Sequence, residues 1–145
     1  MKSIKKVIIV LLITFLCVGC VHKGINKDIA IISMDMNTLI EHLENVGINI
    51  DDKIDVKPMN IGALEGIRIS VNENYVYLYQ LDLTDQRTIK LIEEAKSTNF
   101  VKVSINDSIF SYHSIVNGSY LMLYESNDSL EDIIREFSKF RTTDN

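Results

Sequence analysis

The chain has 145 residues, 46% hydrophobic and 24% charged, with one proline and no tryptophan. That composition excludes a disordered or collagen-like polymer, and the length allows one domain. The formal net charge of −5, from 15 Lys+Arg against 20 Asp+Glu, argues against nucleic acid as a partner, and two cysteines exclude a disulfide-rich scaffold.

The N-terminus reads as an address. Lys2, Lys5 and Lys6 precede an uncharged run from Val7 to Val18, and Gly19-Cys20 follows. A basic start, a short apolar run and a small residue before a cut make a secretory signal. As a helix the apolar run rises only about 18 Å, against a hydrocarbon core of about 30 Å. A permanent membrane span is therefore not expected.

Leu16-Cys17-Val18-Gly19-Cys20 resembles the lipobox of bacterial lipoproteins. The resemblance implies that Gly19 is the small residue before the cut. It also implies that Cys20 is the lipid acceptor and the new first residue, the attached group being a diacylglycerol. One position departs from the pattern: the residue three before the cysteine is usually leucine and here is Cys17, with Leu16 one step early. Cys17 would leave with the signal, so the mature chain would hold a single cysteine and no intrachain disulfide. Removal of three lysines would leave 12 Lys+Arg against 20 Asp+Glu, a net charge of −8. An acidic body is repelled by an anionic bilayer surface, so attachment should come from the two acyl chains. The expected place is the outer face of the cell membrane, with palmitate-type acylation at Cys20.

The expected organisation is residues 1–19 as a cleaved signal, 20–32 as a lipidated tether and 33–145 as a single α+β domain. Ile29 to Ile32 could belong to the tether or dock as an edge strand. Met36, Leu39, Ile40, Leu43 and Val46 form one apolar stripe and predict a first helix over Met36–Asn45. Asp35 or Asn37 caps its start, and Gly47 suits its end. Ile48 to Ile50 alternates weakly, and Pro58 argues against a long central strand nearby. Ile67–Val71 and Tyr75–Leu81 alternate around Asn72-Glu73-Asn74 and predict a hairpin.

Thr84 or Asp85 caps a second helix to about Ser97, with Ile89, Ile92 and Ala95 inward. Phe100–Ile105 offers one further strand. Ile109–Val116 and Ser119–Glu125 flank Asn117-Gly118, a strong hairpin signal. Asp128 and Glu131 resemble a capping box for a last helix to about Phe140. Leu130, Ile133, Ile134 and Phe137 share one face of that helix, and Arg135, Lys139 and Arg141 suit its C-terminal dipole. The order α-β-β-α-β-β-α favours an α+β two-layer sandwich, a mainly antiparallel sheet from two hairpins with helices on one face.

No catalytic constellation stands out: nucleophile elbow, phosphate loop and dinucleotide fingerprint are all missing from the sequence. His22, His42 and His113 lack zinc-ligand spacing, so each reads as a solvated or packed imidazole. Asp51, Asp52 and Asp55 cluster, but the calcium-loop pattern fails, since Val56 stands at its sixth position. The cluster reads as a solvated acidic turn. These three aspartates and His113 are the candidates an enzyme would have to use. No cofactor, no metal and no catalysis are expected.

The tyrosines are more informative. Tyr75, Tyr77 and Tyr79 share one face of their strand, and Tyr120, Met122 and Tyr124 share one face of theirs. With Val76, Leu78, Leu121 and Leu123 turned toward the helices, both sets would form one surface for a partner, suited to tyrosine's apolar area and polar tip. The acidic faces of the first helix (Glu41, Glu44) and the last (Glu131, Asp132, Glu136) read as solvated. The expected function is a non-catalytic binding module of the cell envelope, meeting an envelope protein or peptide. The alternative is an immunity or superinfection-exclusion lipoprotein that captures a cationic peptide or blocks phage entry. The chain is similar in size and pattern to small Gram-positive lipoproteins, which is what suggests both.

Overall fold

A computed structural model describes residues 35–57, 61–105 and 108–140. Gly19, Cys20, His22, the Ile29–Ile32 run, Pro58 and Arg141 lie outside the described residues. The chain runs α1 (Met36–Asn45), β1 (Asp52–Asp55), β2 (Ala63–Val71), β3 (Asn74–Leu81), α2 (Gln86–Thr98), β4 (Phe100–Ile105), β5 (Ser108–Asn117), β6 (Tyr120–Tyr124), a 3-10 turn (Asp128–Leu130) and α3 (Glu131–Lys139). The six strands make one antiparallel sheet in the order β1-β2-β3-β6-β5-β4. The fold is α+β.

Local chemistry explains most of the boundaries. Asp35, not Asn37, caps α1: its carboxylate accepts from Asn37 N at 3.0 Å. Asp85, not Thr84, caps α2 by accepting from Arg87 N at 2.8 Å, and Asn99 ends that helix in the left-handed conformation. Asn72 and Glu73 both have positive φ, 50° and 64°, and form the two-residue turn that matches the twist of β2 and β3.

Three expectations change here. The acidic triplet is not a simple turn, because Asp52–Asp55 pairs with Ile67–Ser70 as an edge strand. All four of its residues are exposed, so no alternation in burial marked it. The β5–β6 turn is centred on Gly118-Ser119, with Gly118 at φ 59° and Asn117 still paired to Tyr120. Asn117 then spends its side chain elsewhere, donating to Phe137 O at 2.6 Å and Phe140 O at 2.7 Å, where it satisfies carbonyls at the end of α3. Asp128 does not form the capping box: Asn127 accepts from Ser129 N at 2.9 Å and starts a 3-10 turn that leads into α3.

Helices cover both faces of the sheet, which corrects the one-sided sandwich. On the first face Met36, Leu39, Leu43, Ile133 and Phe137 of α1 and α3 pack with Ile69, Val71, Val76, Leu78, Tyr120 and Met122. On the second face Leu91, Ile92 and Ala95 of α2 pack with Tyr79, Leu81, Leu121, Leu123, Val101, Val103 and Tyr112. Strand residues alternate between the two clusters because successive side chains point to opposite sides. Coverage of the second face is partial. Helix α2 sits over β4 and β5. Ile54 and Tyr75, on the β1–β3 side of that face, are 44% and 54% exposed.

Two glycines permit this packing. Gly66 pairs with Tyr79 across β2 and β3, and a Cβ there would meet the Tyr79 ring at 2.6 Å. The ring lies where a side chain would stand, covering the bare backbone. Gly62 has φ +74°, and a Cβ there would collide with Thr88 Oγ1. The buried Thr88 hydroxyl donates to Gly62 O at 2.9 Å and so ties α2 to the start of β2.

Candidate functional site

The register places the two tyrosine sets on opposite faces. Tyr77 pairs with Leu123 and Tyr79 with Leu121, while Leu78 pairs with Met122 and Gln80 with Tyr120. Directly paired residues share a face. Tyr75, Tyr77 and Tyr79 therefore lie on the second face, and Tyr120, Met122 and Tyr124 on the first. The single tyrosine–methionine surface does not exist, because one sheet clad on both sides needs large side chains on both.

Three of the six residues named for that surface are core. Tyr79 is 0% exposed, Tyr120 1% and Met122 0%. Burial raises the Tyr79 phenol well above its ordinary value, helped by Tyr77 and Tyr112, and its hydroxyl has no hydrogen-bond partner among the described residues. Burial pushes Tyr120 up to about 12, aided by the negative charges of Asp35 and Glu65. Its hydroxyl lies 3.4 Å from Asp35 O, where the chain enters α1. Tyr124 stacks on His113 at 5.4 Å between ring centroids, and His113 meets Phe100 at 4.3 Å. That imidazole is thus packed between rings. His42 likewise lies against Phe140 at 4.9 Å.

The acid candidates do not converge. Asp52 and Asp55 fall on opposite faces of β1, three residues apart, and β5 with His113 is four strands away in the sheet order. Four steps correspond to about 19 Å. Among the described residues no group of three His, Cys, Asp or Glu side chains could hold a metal ion.

What the second face does build is a recess. Asn74, Tyr75 and Tyr77 of β3, Tyr112 of β5, Glu73 of the β2–β3 turn and Glu125 just after β6 enclose about 140 Å³. Antiparallel pairing brings these together, since the start of β3 and the end of β6 lie at one end of the sheet. Tyr77 and Tyr112 meet edge to face at 5.7 Å and 61°. Burial, then Tyr77, then the charge of Glu125 raise the Tyr112 phenol. The Tyr112 phenol therefore keeps its proton near pH 7.

Asparagines fix the rim. Asn72 Nδ2 donates to Ser129 O at 2.9 Å, Asn74 Nδ2 to Ser129 Oγ at 2.9 Å, and Asn127 Nδ2 to Asn74 Oδ1 at 2.8 Å. The turn that carries Glu73 is thereby tied to the loop that follows Glu125. Beside the recess, the Arg68 guanidinium stands 4.4 Å from the centroid of the Tyr75 ring and 3.8 Å from Asp52.

Tyr75 and Tyr77 were foreseen at a binding face; Tyr112, Glu73 and Glu125 were not. Their convergence depends on β6 lying between β3 and β5, which no local pattern states. A second hollow, about 440 Å³ and more open, lies by the start of α1 between Met36, Asp55, Leu64 and Glu65. There Glu65 Oε1 accepts from Met36 N at 3.1 Å, so its acid serves the helix end.

Comparison with protein-family models, with curated proteins and with solved structures gives no match. Among the described residues no helix is long and apolar enough to cross a membrane.

Proposed function

We propose that the protein is a lipid-anchored binding module on the outer face of the cell membrane, held through Cys20, and that its partner seats on the uncovered part of the second sheet face around the tyrosine recess. The observation that carries this reading is the recess: a preorganised hollow of three tyrosines and two glutamates beside exposed Ile54 and Tyr75. Tyrosine offers contact area at low entropic cost, and a braced rim lowers the cost of ordering on binding. The anchor works by confinement, since a tethered domain meets other envelope components at raised effective concentration.

The start of α1 lies beside Tyr120 at the start of β6 and Glu65 at the start of β2. The recess sits at the other end of these strands, by the start of β3 and the end of β6.

Two carboxylates in the recess favour one second reading, an immunity-type lipoprotein that captures a cationic peptide.

The test is photo-crosslinking in intact membranes. A photoreactive residue in place of exposed Tyr75 should capture a discrete partner, and one in place of exposed Lys90 on α2 should not. Capture from position 90 with none from 75 would contradict the proposal. Release of labelled palmitate incorporation by Cys20→Ala tests the anchor separately.

A further inference from the structure

We infer that the recess takes the cationic head of an arginine or lysine side chain from a basic peptide segment laid over the β1–β3 part of the second face. The inference rests on the binding-module reading and names its ligand class.

Size selects a head group. A hollow of about 140 Å³ is smaller than the roughly 300–1,000 Å³ of small-molecule sites. It accommodates the end of one side chain while the rest of the ligand lies outside.

Charge selects its sign. Glu73 and Glu125 line the hollow, no cationic residue does, and neither glutamate is in an ion pair among the described residues. Glu93 and Glu94 on α2 are likewise outside any ion pair among the described residues, so it is the hollow and its rings, not the lack of a partner, that set Glu73 and Glu125 apart. Tyr75, Tyr77 and Tyr112 line it as well, and the face of an aromatic ring attracts guanidinium and ammonium groups.

The protein contains its own example of the contact. Arg68 holds its guanidinium 4.4 Å from the Tyr75 centroid on the same sheet face. A second guanidinium arriving between Tyr75, Tyr77 and the two glutamates repeats that geometry with more charge. Chain-wide charge acts in the same direction, since a chain of net charge −5, or −8 without Lys2, Lys5 and Lys6, draws basic peptides toward it. Single contacts of this kind are modest, so useful affinity comes from a peptide with several basic residues and from confinement at the membrane.

The test uses the full lipidated protein in phosphatidylcholine nanodiscs, whose surface does not itself attract a basic peptide. The probes are a fluorescent peptide of alternating arginine and glycine and its analogue with citrulline, which keeps shape and loses charge. The arginine peptide should bind about tenfold tighter than the citrulline peptide. Glu73→Gln with Glu125→Gln should weaken it by a similar factor. Glu93→Gln with Glu94→Gln, which removes the same charge from the exposed side of α2, should leave it within about twofold.

Equal binding of both peptides, equal loss from the α2 pair, or no saturable binding of either would overturn the inference. A partner still crosslinked from position 75 in the Glu73→Gln/Glu125→Gln variant would overturn the cationic ligand and leave the module standing. No crosslinking from position 75 when both glutamates are intact would remove the module itself.

Discussion

Arg68 and Tyr75 are diagonal neighbours on one face of β2 and β3, guanidinium to ring centroid at 4.4 Å, with Asp52 3.8 Å from the same guanidinium. The contact engages the exposed tyrosine of the recess. It also places a resident cation next to the hollow proposed to bind one. Arg68→Ala should therefore cost less than about 1 kcal/mol of stability, as exposed pairs do. It should tighten the arginine peptide about threefold by removing a competitor of like charge. Weaker binding in the same titration would mean that Arg68 positions Tyr75 for the ligand and does not compete with it.

Gly66 and Tyr79 give a sharper stability test. A methyl group at Gly66 would sit 2.6 Å from the Tyr79 ring and 3.1 Å from Val56. Gly66→Ala should lower urea-unfolding stability by about 1–3 kcal/mol through displacement of the ring. Tyr79→Phe removes a buried hydroxyl that lacks a partner among the described residues, so stability should be unchanged or higher by up to about 1 kcal/mol. A large loss from Tyr79→Phe would show that the hydroxyl is bonded in solution.

Asn117 bonds two carbonyls at the end of α3. Asn117→Ala should cost about 1–3 kcal/mol, and Asn117→Asp more, because a carboxylate would face carbonyl oxygens. Chemical denaturation of both variants checks the order.

Alkaline pH should destabilise the fold early. The Tyr120 phenol moves from its ordinary value near 10 to about 12, and the Tyr79 phenol is raised further. Above pH 10 the unfolded chain loses these protons while the folded chain keeps them, so the unfolded state binds fewer and stability falls with pH. The contribution is whole below pH 10 and is lost as pH rises through about 12 for Tyr120. Urea midpoints at pH 8, 10 and 11.5 should fall in that order, and Tyr120→Phe should flatten part of the fall.

Much of the fold was legible because it obeys short periods. The stripe from Met36 to Leu43 marked α1, and alternation around Asn72-Glu73 marked the first hairpin. β1 escaped because an edge strand exposed along its whole length shows no contrast between its sides. The tyrosine faces were misread for a different reason. Alternation tells which residues of one strand go together, while which face they share with the next strand is set by register. Here Gln80 stands opposite Tyr120, so Tyr79 and Tyr120 must part. With helices on both sides, neither Val76 nor Tyr77 could announce by type which side met water. The recess was half legible: Tyr75 and Tyr77 are marked by alternation, while Tyr112 of β5 and Glu125, just after β6, are brought to them only by the full sheet order.

The central claim is that a cationic side chain enters between Tyr75, Tyr77 and Tyr112. With six tyrosines and no tryptophan, the ring signals of a tyrosine-labelled sample form a sparse NMR spectrum. Titration of the full lipidated protein with the arginine peptide should move Tyr75, Tyr77 and Tyr112 to saturation and leave Tyr79, Tyr120 and Tyr124 in place, with little response to the citrulline peptide. Movement centred on Tyr124, or equal movement with both peptides, would contradict it.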